Sequence, residues 1–403
     1  MTRTLFTGAR LFDGSGVDPA PADIVVEDGR FVGVGTGLDG DVAVDLSGRT
    51  VLPGLIDCHV HVAFSHVDVW RHVNTPFSYH FYEAIGNLGA TLDAGITTVR
   101  DAGGADLGMQ QAVADGLVRG PRLRIALTML SQTGGHGDDW YPSGYEAGFG
   151  RPYPGMPASV VDGPDEMRAR VRELVRAGAN QIKVATSGGV LSPRDDPRHG
   201  HFRDDELIAL VAEADAAGIP VMAHAQGAPG IKAAIRAGIR SIDHGIYLDD
   251  EAIEMMLARG TFFVPTLVAP LGVLEAADAG APIPPVVVAK ARAVVDVHRE
   301  AFRRAVAAGV RIAMGTDSGV TPHGRNLDEL ALMARGGMRP ADVLVATTRD
   351  AADLLDLADQ LGTIEPGKRA DLVVLDGDPY DFEGYRARIR AVYQDGRLVS
   401  GGV

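Results

Sequence analysis

The sequence predicts an α/β protein, a (β/α)8 TIM barrel with a small β-sandwich domain formed from both chain ends. Short apolar runs alternate with helical patterns through the middle of the chain. Eight such units favour a closed barrel of parallel strands over an open sheet. Short alternating stretches separated by turn signals recur at both ends, a pattern typical of antiparallel strands.

The two chain ends share this pattern of short strands and tight turns. Asp28-Gly29 and Asp395-Gly396 are turn signals between such stretches. Because chain termini often lie close together, we expect residues 1–54 and 362–403 to form the small domain and residues 55–361 to form the barrel. The candidate strands of the ends are Thr4–Phe6, Ala22–Val26, Phe31–Val34, Val42–Leu46, Ala370–Leu375, Ala391–Gln394 and Arg397–Ser400.

The barrel strands are expected at eight apolar runs, with helical patterns such as Asp205–Ala217 and Glu300–Ala308 between them. No GxGxxG motif follows the first run, which argues against a dinucleotide-binding sheet. Two long segments, 131–163 and 188–204, follow strand ends, where loops of this fold build active sites. The candidate strands are Gly54–His61, Thr97–Asp101, Leu123–Leu130, Gln181–Thr186, Pro220–His224, Ser241–Gly245, Thr261–Pro265 and Arg311–Thr316.

The charge balance narrows the choice of partner. The chain has 38 Lys and Arg against 53 Asp and Glu, a formal net charge of −15, which disfavours nucleic acid and anionic membranes as partners. The single cysteine, Cys58, excludes a disulfide within the chain and fits a reducing compartment. We see no signal-peptide pattern and no apolar run near the length of a membrane span. We therefore expect a cytoplasmic protein, and we expect a homo-oligomer.

The first candidate strand ends in Asp57-Cys58-His59-Val60-His61. Positions i and i+2 of a strand share a face, so His59 and His61 should both point into the barrel, with Cys58 facing the helices. Two imidazoles at one strand end can bind one metal ion. Taken alone, this spacing is equally compatible with two unrelated polar residues.

Four further residues lie at the carboxyl ends of later strands: Lys183, His224, His244 and Asp317. A bare ammonium is costly inside an apolar strand, and carbamylation of Lys183 by CO2 would convert it into an anionic ligand able to bridge two metals. Each residue alone has an ordinary explanation, such as a lysine reaching water, a structural histidine or a capping aspartate. Six candidate ligands at the ends of five strands together predict a metal site.

With these residues in place, the sequence resembles the metal-dependent amidohydrolase superfamily over nearly its whole length. More narrowly, it is similar to the imidazolonepropionase-like branch, which includes Xaa-Pro dipeptidase-like enzymes. The segments that carry the resemblance are Val51–Asp57, Thr98–Gly104, Ser131–His136, Ser187–Val190, Ser192-Pro193 and Leu361–Leu375.

The resemblance implies two divalent metal ions per chain, with Zn2+ as the expected metal and manganese, iron or cobalt as alternatives. His59, His61 and Asp317 would hold one metal. His224 and His244 would hold the other, and carbamylated Lys183 would bridge the two. His136 would contact the carbonyl oxygen of the substrate.

The expected activity is hydrolysis of an amide-type C–N bond in a small molecule, such as a dipeptide, an N-acyl amino acid or an aryl amide. A metal-bridging hydroxide would attack the carbonyl carbon, with Asp317 as general acid and base and His136 stabilising the oxyanion. Phenylurea, carbamate and cyclic amide hydrolases remain alternatives. Deaminases of the superfamily generally use one metal and lack the bridging lysine. A non-catalytic scaffold would be expected to have lost ligands.

Substrate recognition is expected from residues around the ligands. The peptidase members commonly have a tyrosine where this chain has Gln226, which casts doubt on recognition of a peptide carboxylate by that contact. Arg194 and His201, in the polar loop Ser192–Phe202, are candidate substrate contacts. The aromatic-rich segment Trp70–Tyr82 could supply an apolar wall or an oligomer contact. The histidines of this region, His66, His72 and His80, could line the entrance or be ordinary surface residues.

Overall fold

Both chain ends enter one β-sheet in the computed structural model, which describes residues 2–147 and 152–402. Its strands are β1 (Thr4–Leu11), β2 (Ala20–Glu27), β3 (Arg30–Gly35), β4 (Val42–Asp45), β5 (Arg49–Pro53), β14 (Leu372–Asp376), β15 (Ile389–Gln394) and β16 (Arg397–Gly401). The strand order is β16-β15-β14-β5-β1-β2-β3, with β4 paired to β1.

This sheet encloses a hydrophobic core of its own. Phe6, Ile24 and Phe31 from the first strands pack with Val374 and Tyr393 from the last ones. Strand β3 contacts the residues just before β14. The backbone N–H of Phe31 donates to the carbonyl of Lys368 at 2.9 Å. The prediction that both chain ends contribute to one β structure is confirmed, and their strands form a single continuous sheet.

The barrel strands run parallel in two hydrogen-bonded groups. The first group has the order β6-β7-β8, and the second has the order β13-β12-β11-β10-β9. The strands are β6 (Leu55–Val60), β7 (Ile96–Asp101), β8 (Arg122–Ile125), β9 (Met129–Leu130), β10 (Ile182–Ala185), β11 (Val221–Ala225), β12 (Ser241–His244) and β13 (Phe262–Val264).

The prediction of a single strand over Leu123–Leu130 is wrong, because the strand is interrupted between β8 and β9. Leu127 has a φ of 67°, a left-handed conformation that ends a strand. Its carbonyl accepts the N–H of Gly104 at 2.7 Å instead of continuing a ladder. The break allows β8 to pair with β7, while β9 pairs with β10.

The predicted eighth strand, Arg311–Thr316, is also not a regular strand, yet it closes the barrel. Phe263 donates to the carbonyl of Arg311 at 2.8 Å on one side, and Cys58 donates to that of Met314 at 2.9 Å on the other. A β-carbon at Gly315 would lie 2.4 Å from a methyl group of Val264. The segment therefore needs glycine where it passes between its neighbours, and its contacts are isolated bridges.

Helices cover the outside of the barrel and bury apolar faces against the strands. In α4 the buried residues Met167, Val171 and Leu174 recur at helical spacing. Cys58 faces outward as predicted, packed with Ala351 and Leu355. The helices are α1 (Val69–Asn74), α2 (Tyr79–Asp93), α3 (Leu107–Ala114), α4 (Pro164–Arg176), α5 (Asp204–Ala216), α6 (Ala228–Ala237), α7 (Asp250–Arg259), α8 (Val268–Asp278), α9 (Pro285–Ala308), α10 (Asp328–Arg335), α11 (Pro340–Thr347) and α12 (Arg349–Leu354).

A short 3-10 helix spans Tyr385–Arg388 between β14 and β15. Within the described parts of the chain, none of the helices combines the length and apolar character needed to cross a bilayer.

Candidate active site

The carboxyl ends of the barrel strands surround a cavity of about 270 Å³. Of the ten residues predicted for the site, nine line this cavity. They are His59, His61, His136, Lys183, Arg194, His224, Gln226, His244 and Asp317.

Three of the predicted ligands converge closely. His59, His244 and Asp317 each offer one ligand atom within 4.8 Å of the others. His61 joins them, because its Nε2 lies 3.3 Å from Oδ1 of Asp317. Imidazole nitrogens and a carboxylate oxygen are the donors that zinc and related divalent metals take in proteins. The donor set therefore fits a metal ion.

A left-handed backbone conformation turns the side chains of His244 and Asp317 towards the cavity. His224 and Asp243 are register partners on neighbouring strands, so both face the barrel interior. His244 should then point outward, but its φ of 74° ends the strand and turns its side chain into the cavity. Asp317 has a φ of 60° and also reaches the cavity. Such strained backbone is concentrated at functional sites.

Lys183 is fully buried beside the histidines, with Nζ 3.3 Å from Nε2 of His59. Burial lowers the pKa of Lys183 to about 8, although Asp243, whose carboxylate lies 3.8 Å away, opposes the shift. A lowered pKa increases the fraction of neutral amine, which is the form that reacts with CO2. The environment of Lys183 therefore favours the neutral amine that can react with CO2.

Hydrogen bonds orient the ligand rings. Nδ1 of His59 lies 2.7 Å from a carboxylate oxygen of Asp243, and Nδ1 of His61 lies 2.8 Å from the carbonyl of Gly103. The carboxylate and the carbonyl can only accept hydrogen bonds, so each Nδ1 donates. In the neutral ring, each Nε2 then keeps its lone pair for a metal ion. Burial also lowers the pKa of His244 to about 3, which keeps its ring neutral, as metal ligation requires.

Two residues behind the ligands did not emerge from the sequence. Asp243 holds His59, and the buried Arg100 binds both oxygens of Asp243 at 3.1 and 3.2 Å. Charged residues inside the predicted barrel strands Thr97–Asp101 and Ser241–Gly245 were a usable signal, because such residues are rarely buried unless paired. Their partnership across two strands was not visible from local spacing.

His136 stands over the ligands in the segment that follows β9. Its ring stacks on that of His224, with centroids 4.2 Å apart and planes 17° apart. Its Nδ1 lies 2.9 Å from Oδ2 of Asp195. Nε2 is therefore the ring nitrogen left to contact a bound molecule.

The predicted substrate contacts divide into three cases. Gln226 is buried against the cavity, and its side-chain oxygen has no hydrogen-bond partner among the described residues. Arg194 lies at the rim, with its guanidinium 4.8 Å from the ring centre of Tyr141. His201 is buried but is not part of the cavity wall; its backbone N–H bonds to the carbonyl of Thr186.

The aromatic segment Trp70–Tyr82 does not supply the expected apolar wall. Trp70 and Phe77 are 62% and 58% exposed, and neither lines the cavity. Trp70 lies on α1, whereas Phe77 lies between α1 and α2 and packs against Phe81 and Tyr153. Of the three nearby histidines, only His66 lines the cavity, while His72 and His80 stack on each other with centroids 4.3 Å apart.

Apolar side chains that the sequence did not single out form much of the wall instead. They come from the segments after β6, β8, β10 and β12, from β9 and from α8. They include Phe64, Val67, Leu127, Met129, Val190, Leu191, Ile246 and Val273. The site is a polar cluster at the base of an apolar cavity.

Known proteins share this fold over almost the whole chain. A crystal structure of a Xaa-Pro dipeptidase with methionine bound in its active site is 34% identical and covers 100% of both chains, with a TM-score of 0.91. Ochratoxinase from Aspergillus niger is 34% identical over 371 residues, 87% of this chain and 76% of that protein. Imidazolonepropionase from Paracoccus denitrificans is 29% identical over 381 residues, 88% of this chain and 87% of that protein.

The predicted fold class, the predicted resemblance and the predicted enzyme class are all confirmed by these relatives. Residues 50–400 match the family model described as the amidohydrolase family. The chain belongs to the amidohydrolase family and is a hydrolase of that family.

Proposed function

We propose that this enzyme is a binuclear metal hydrolase that cleaves the amide bond of a small N-acyl amino acid or dipeptide. The observation that carries the proposal is the convergence of six side chains at one end of the barrel. They are His59, His61, Lys183, His224, His244 and Asp317. When bound there, two divalent metals would lower the pKa of a water molecule and polarise the carbonyl group it attacks.

Asp317 is the proposed proton carrier of the reaction. Metal ligation requires the deprotonated form of an acid, and Asp317 is one of the proposed ligands. It is therefore a carboxylate at neutral pH and can accept the proton of the attacking water. Delivery of that proton to the leaving nitrogen completes the cleavage, since an amine leaves more readily than its anion.

His136 is the proposed contact for the substrate oxygen. Its Nδ1 is engaged by Asp195, so Nε2 faces the cavity beside His224. A proton on Nε2 would be donated to the negative charge that develops on the carbonyl oxygen. A group aimed at developing charge contributes to kcat more than to substrate binding.

The cavity wall favours an amino-acid product with an apolar side chain. Leu127, Met129 and Ile246 present apolar surface above the ligands, and Arg194 at the rim can pair with a carboxylate. One similar structure has methionine in its active site, and one relative is named ochratoxinase. An N-acyl or N-aminoacyl derivative of an apolar amino acid fits these features.

A second candidate substrate class is an aryl amide or phenylurea without a carboxylate. Gln226 supports it, because a neutral amide with a free acceptor oxygen offers no charge to pair with a carboxylate. A phenylurea hydrolase shares the fold with a TM-score of 0.78 at 25% identity. Deamination is less well supported, since a bridging lysine is expected only for two metals.

A hydrolysis screen of zinc-loaded protein would test the proposal. N-acyl amino acids, dipeptides, aryl amides, phenylureas and lactones would be compared by kcat/KM at matched metal content. We expect the highest values for N-acyl amino acids and dipeptides with apolar side chains. Preference for lactones, or activity with one metal per chain equal to that with two, would contradict the proposal.

A further inference from the structure

The loop that follows β10 forms part of the cavity wall. The ammonium group of Lys290, on helix α9, holds this loop by hydrogen bonds. Nζ of Lys290 donates to the carbonyls of Gly189 at 2.9 Å and Ser192 at 2.7 Å, and also to that of Asp195. The same Nζ lies 3.2 Å from Oδ1 of Asp195. A single side chain thus bonds three points of the loop that carries Val190 to Arg194 along the cavity.

Asp195 connects this attachment to His136. Its carboxylate is buried, with Oδ1 on Lys290 and Oδ2 on Nδ1 of His136 at 2.9 Å. Oδ2 also accepts the N–H of Gly189 at 3.1 Å. Burial opposes ionisation, but His136 and Lys290 lower the pKa of Asp195 below its ordinary value. Both oxygens are therefore occupied acceptors, and the plane of the carboxylate is fixed.

The ring of His136 has little remaining freedom. A β-carbon at Gly189 would lie 2.1 Å from Cε1 of His136, so the ring packs directly on that backbone. The ring of His224 covers it from another direction, with centroids 4.2 Å apart. With Nδ1 bonded to Asp195, Nε2 points along one direction only. Rigid placement of a reacting group reduces the cost of reaching the transition state.

We propose that Asp195 and Lys290 are positioning residues that fix the orientation of His136, with Lys290 acting through Asp195. The inference rests on the proposed role of His136 at the substrate oxygen. It assigns function to two residues 95 positions apart in sequence, on a loop and on a helix of the outer layer. Neither residue is proposed to touch the substrate or a metal.

A double-mutant cycle tests this proposal, using Asp195→Asn, His136→Ala and the combination. An amide has one acceptor oxygen, so it cannot serve both His136 and Lys290 as the carboxylate does. We expect Asp195→Asn alone to lower kcat by about 10- to 100-fold, the usual effect of losing a partner behind a catalytic group. KM should stay within about 3-fold, because His136 acts in the transition state. In the His136→Ala background, Asp195→Asn should change kcat by less than about 2-fold.

Lys290→Met gives a second, independent variant with the stem of the side chain retained. It should lower kcat in the same direction as Asp195→Asn, and Lys290→Arg should recover part of the loss. Lys232→Met is the matched control, because Lys232 makes two ion pairs, with Asp249 and Glu251, away from the cavity. The control should leave kcat unchanged, and metal content should stay the same in every variant.

The outcomes separate this proposal from the proposed function. If His136→Ala left kcat unchanged, the proposed role of His136 would be wrong. The positioning proposal, which depends on that role, would then be overturned as well. If His136→Ala lowered kcat but Asp195→Asn lowered it equally in both backgrounds, only the positioning proposal would be overturned. A crystal structure of the Asp195→Asn variant supplies a readout besides activity. An unmoved His136 ring with unchanged occupancy would also overturn the proposal.

Discussion

Asp243 accepts a hydrogen bond from Nδ1 of His59 at 2.7 Å, in a part of the barrel closed to solvent. Because a carboxylate without a proton only accepts, the contact places the proton of His59 on Nδ1 and leaves Nε2 facing Lys183 and Asp317. Arg100 neutralises the charge of Asp243 from behind. The orientation of one candidate ligand thus depends on two charged residues that contact no proposed substrate.

Asp243→Asn should weaken metal binding by about 10- to 100-fold, since an amide has one acceptor oxygen where the carboxylate serves His59, Arg100 and Ser241 with two. An amide in place of the carboxylate also leaves Arg100 with a neutral partner inside the barrel. Competition with a chromophoric chelator would measure the dissociation constant. Asp296→Asn, on the exposed face of α9, is the control and should bind metal as the unaltered protein does. An unchanged dissociation constant for Asp243→Asn would refute the dependence.

Lys183→Ala should remove most of the bound metal and most of the activity, because the proposed bridge contributes to both metals. Protein supplied with zinc and bicarbonate should bind about two metals per chain, measurable by inductively coupled plasma mass spectrometry. Lys232→Ala is a suitable control at a lysine outside the cavity. Full metal content and full rate in Lys183→Ala would rule out the carbamate.

His136→Ala should keep its metals and lose rate on the order of 10²-fold or more, as expected when one oxyanion contact is removed. The residue lies on a loop, so the barrel should stay folded. Steady-state kinetics and metal analysis of the same sample separate these effects. Loss of metal together with rate would instead identify His136 as a ligand or a support of His224, on which its ring stacks.

Much of the fold and of the ligand set follows from local pattern. The alternation of a strand is enough to place His59 and His61 on one face, and the cost of a buried ammonium is enough to single out Lys183. These inferences need only the identity of neighbours in sequence. The location of all six candidate ligands around one cavity agrees with them.

Other features depend on contacts between distant segments. Asp243 and His244 are adjacent yet both serve the site, because a left-handed backbone at His244 breaks the alternation. Leu127 similarly divides an apolar run that has no glycine or proline to mark the break. The pairing of Asp195 with Lys290 joins a loop to an outer helix, and nothing in either segment indicates the other.

Glu329 should make stability depend on pH. It is fully buried and accepts the N–H groups of Leu267 and Val268 at the start of α8, each at 2.8 Å. Burial raises the pKa of Glu329 to about 8, although the two N–H groups oppose the shift. A carboxyl whose pKa is raised on folding stabilises the native state fully below its unfolded pKa, and that stability is lost as pH rises through the folded value.

Glu329→Gln removes this titration. The free energy of unfolding of the unaltered protein should fall by up to about 1.4 kcal/mol per pH unit relative to the variant, between roughly pH 4.5 and 8. Melting temperatures of both proteins at pH 5, 6.5 and 8 would show the variant gaining on the parent as pH rises. Glu254→Gln, at an exposed position of α7, is the control. A constant difference in melting temperature across this range would exclude the effect.

Gln226→Tyr should shift substrate preference towards dipeptides and away from aryl amides that lack a carboxylate. The backbone of Gln226 is held on both sides, by Ser187 at 2.8 Å and by Tyr247 at 2.8 Å, so the substitution changes the side chain in a fixed position. Its side-chain oxygen has no partner among the described residues, which leaves it free for a bound molecule. A phenol there would add a donor and a ring surface to the cavity wall.

The expected change is roughly 1–3 kcal/mol in relative transition-state binding, read from the ratio of kcat/KM for a dipeptide and a matched aryl amide. Gln226→Leu is the matched control, because it keeps the size of the side chain and removes its hydrogen bonds. If hydrogen bonding at this position sets specificity, the two variants should move the ratio differently. An equal ratio in all three proteins would place recognition elsewhere, and Arg194 at the rim is then the next residue to change, because it is the exposed cation beside the cavity in the Ser192–Phe202 loop.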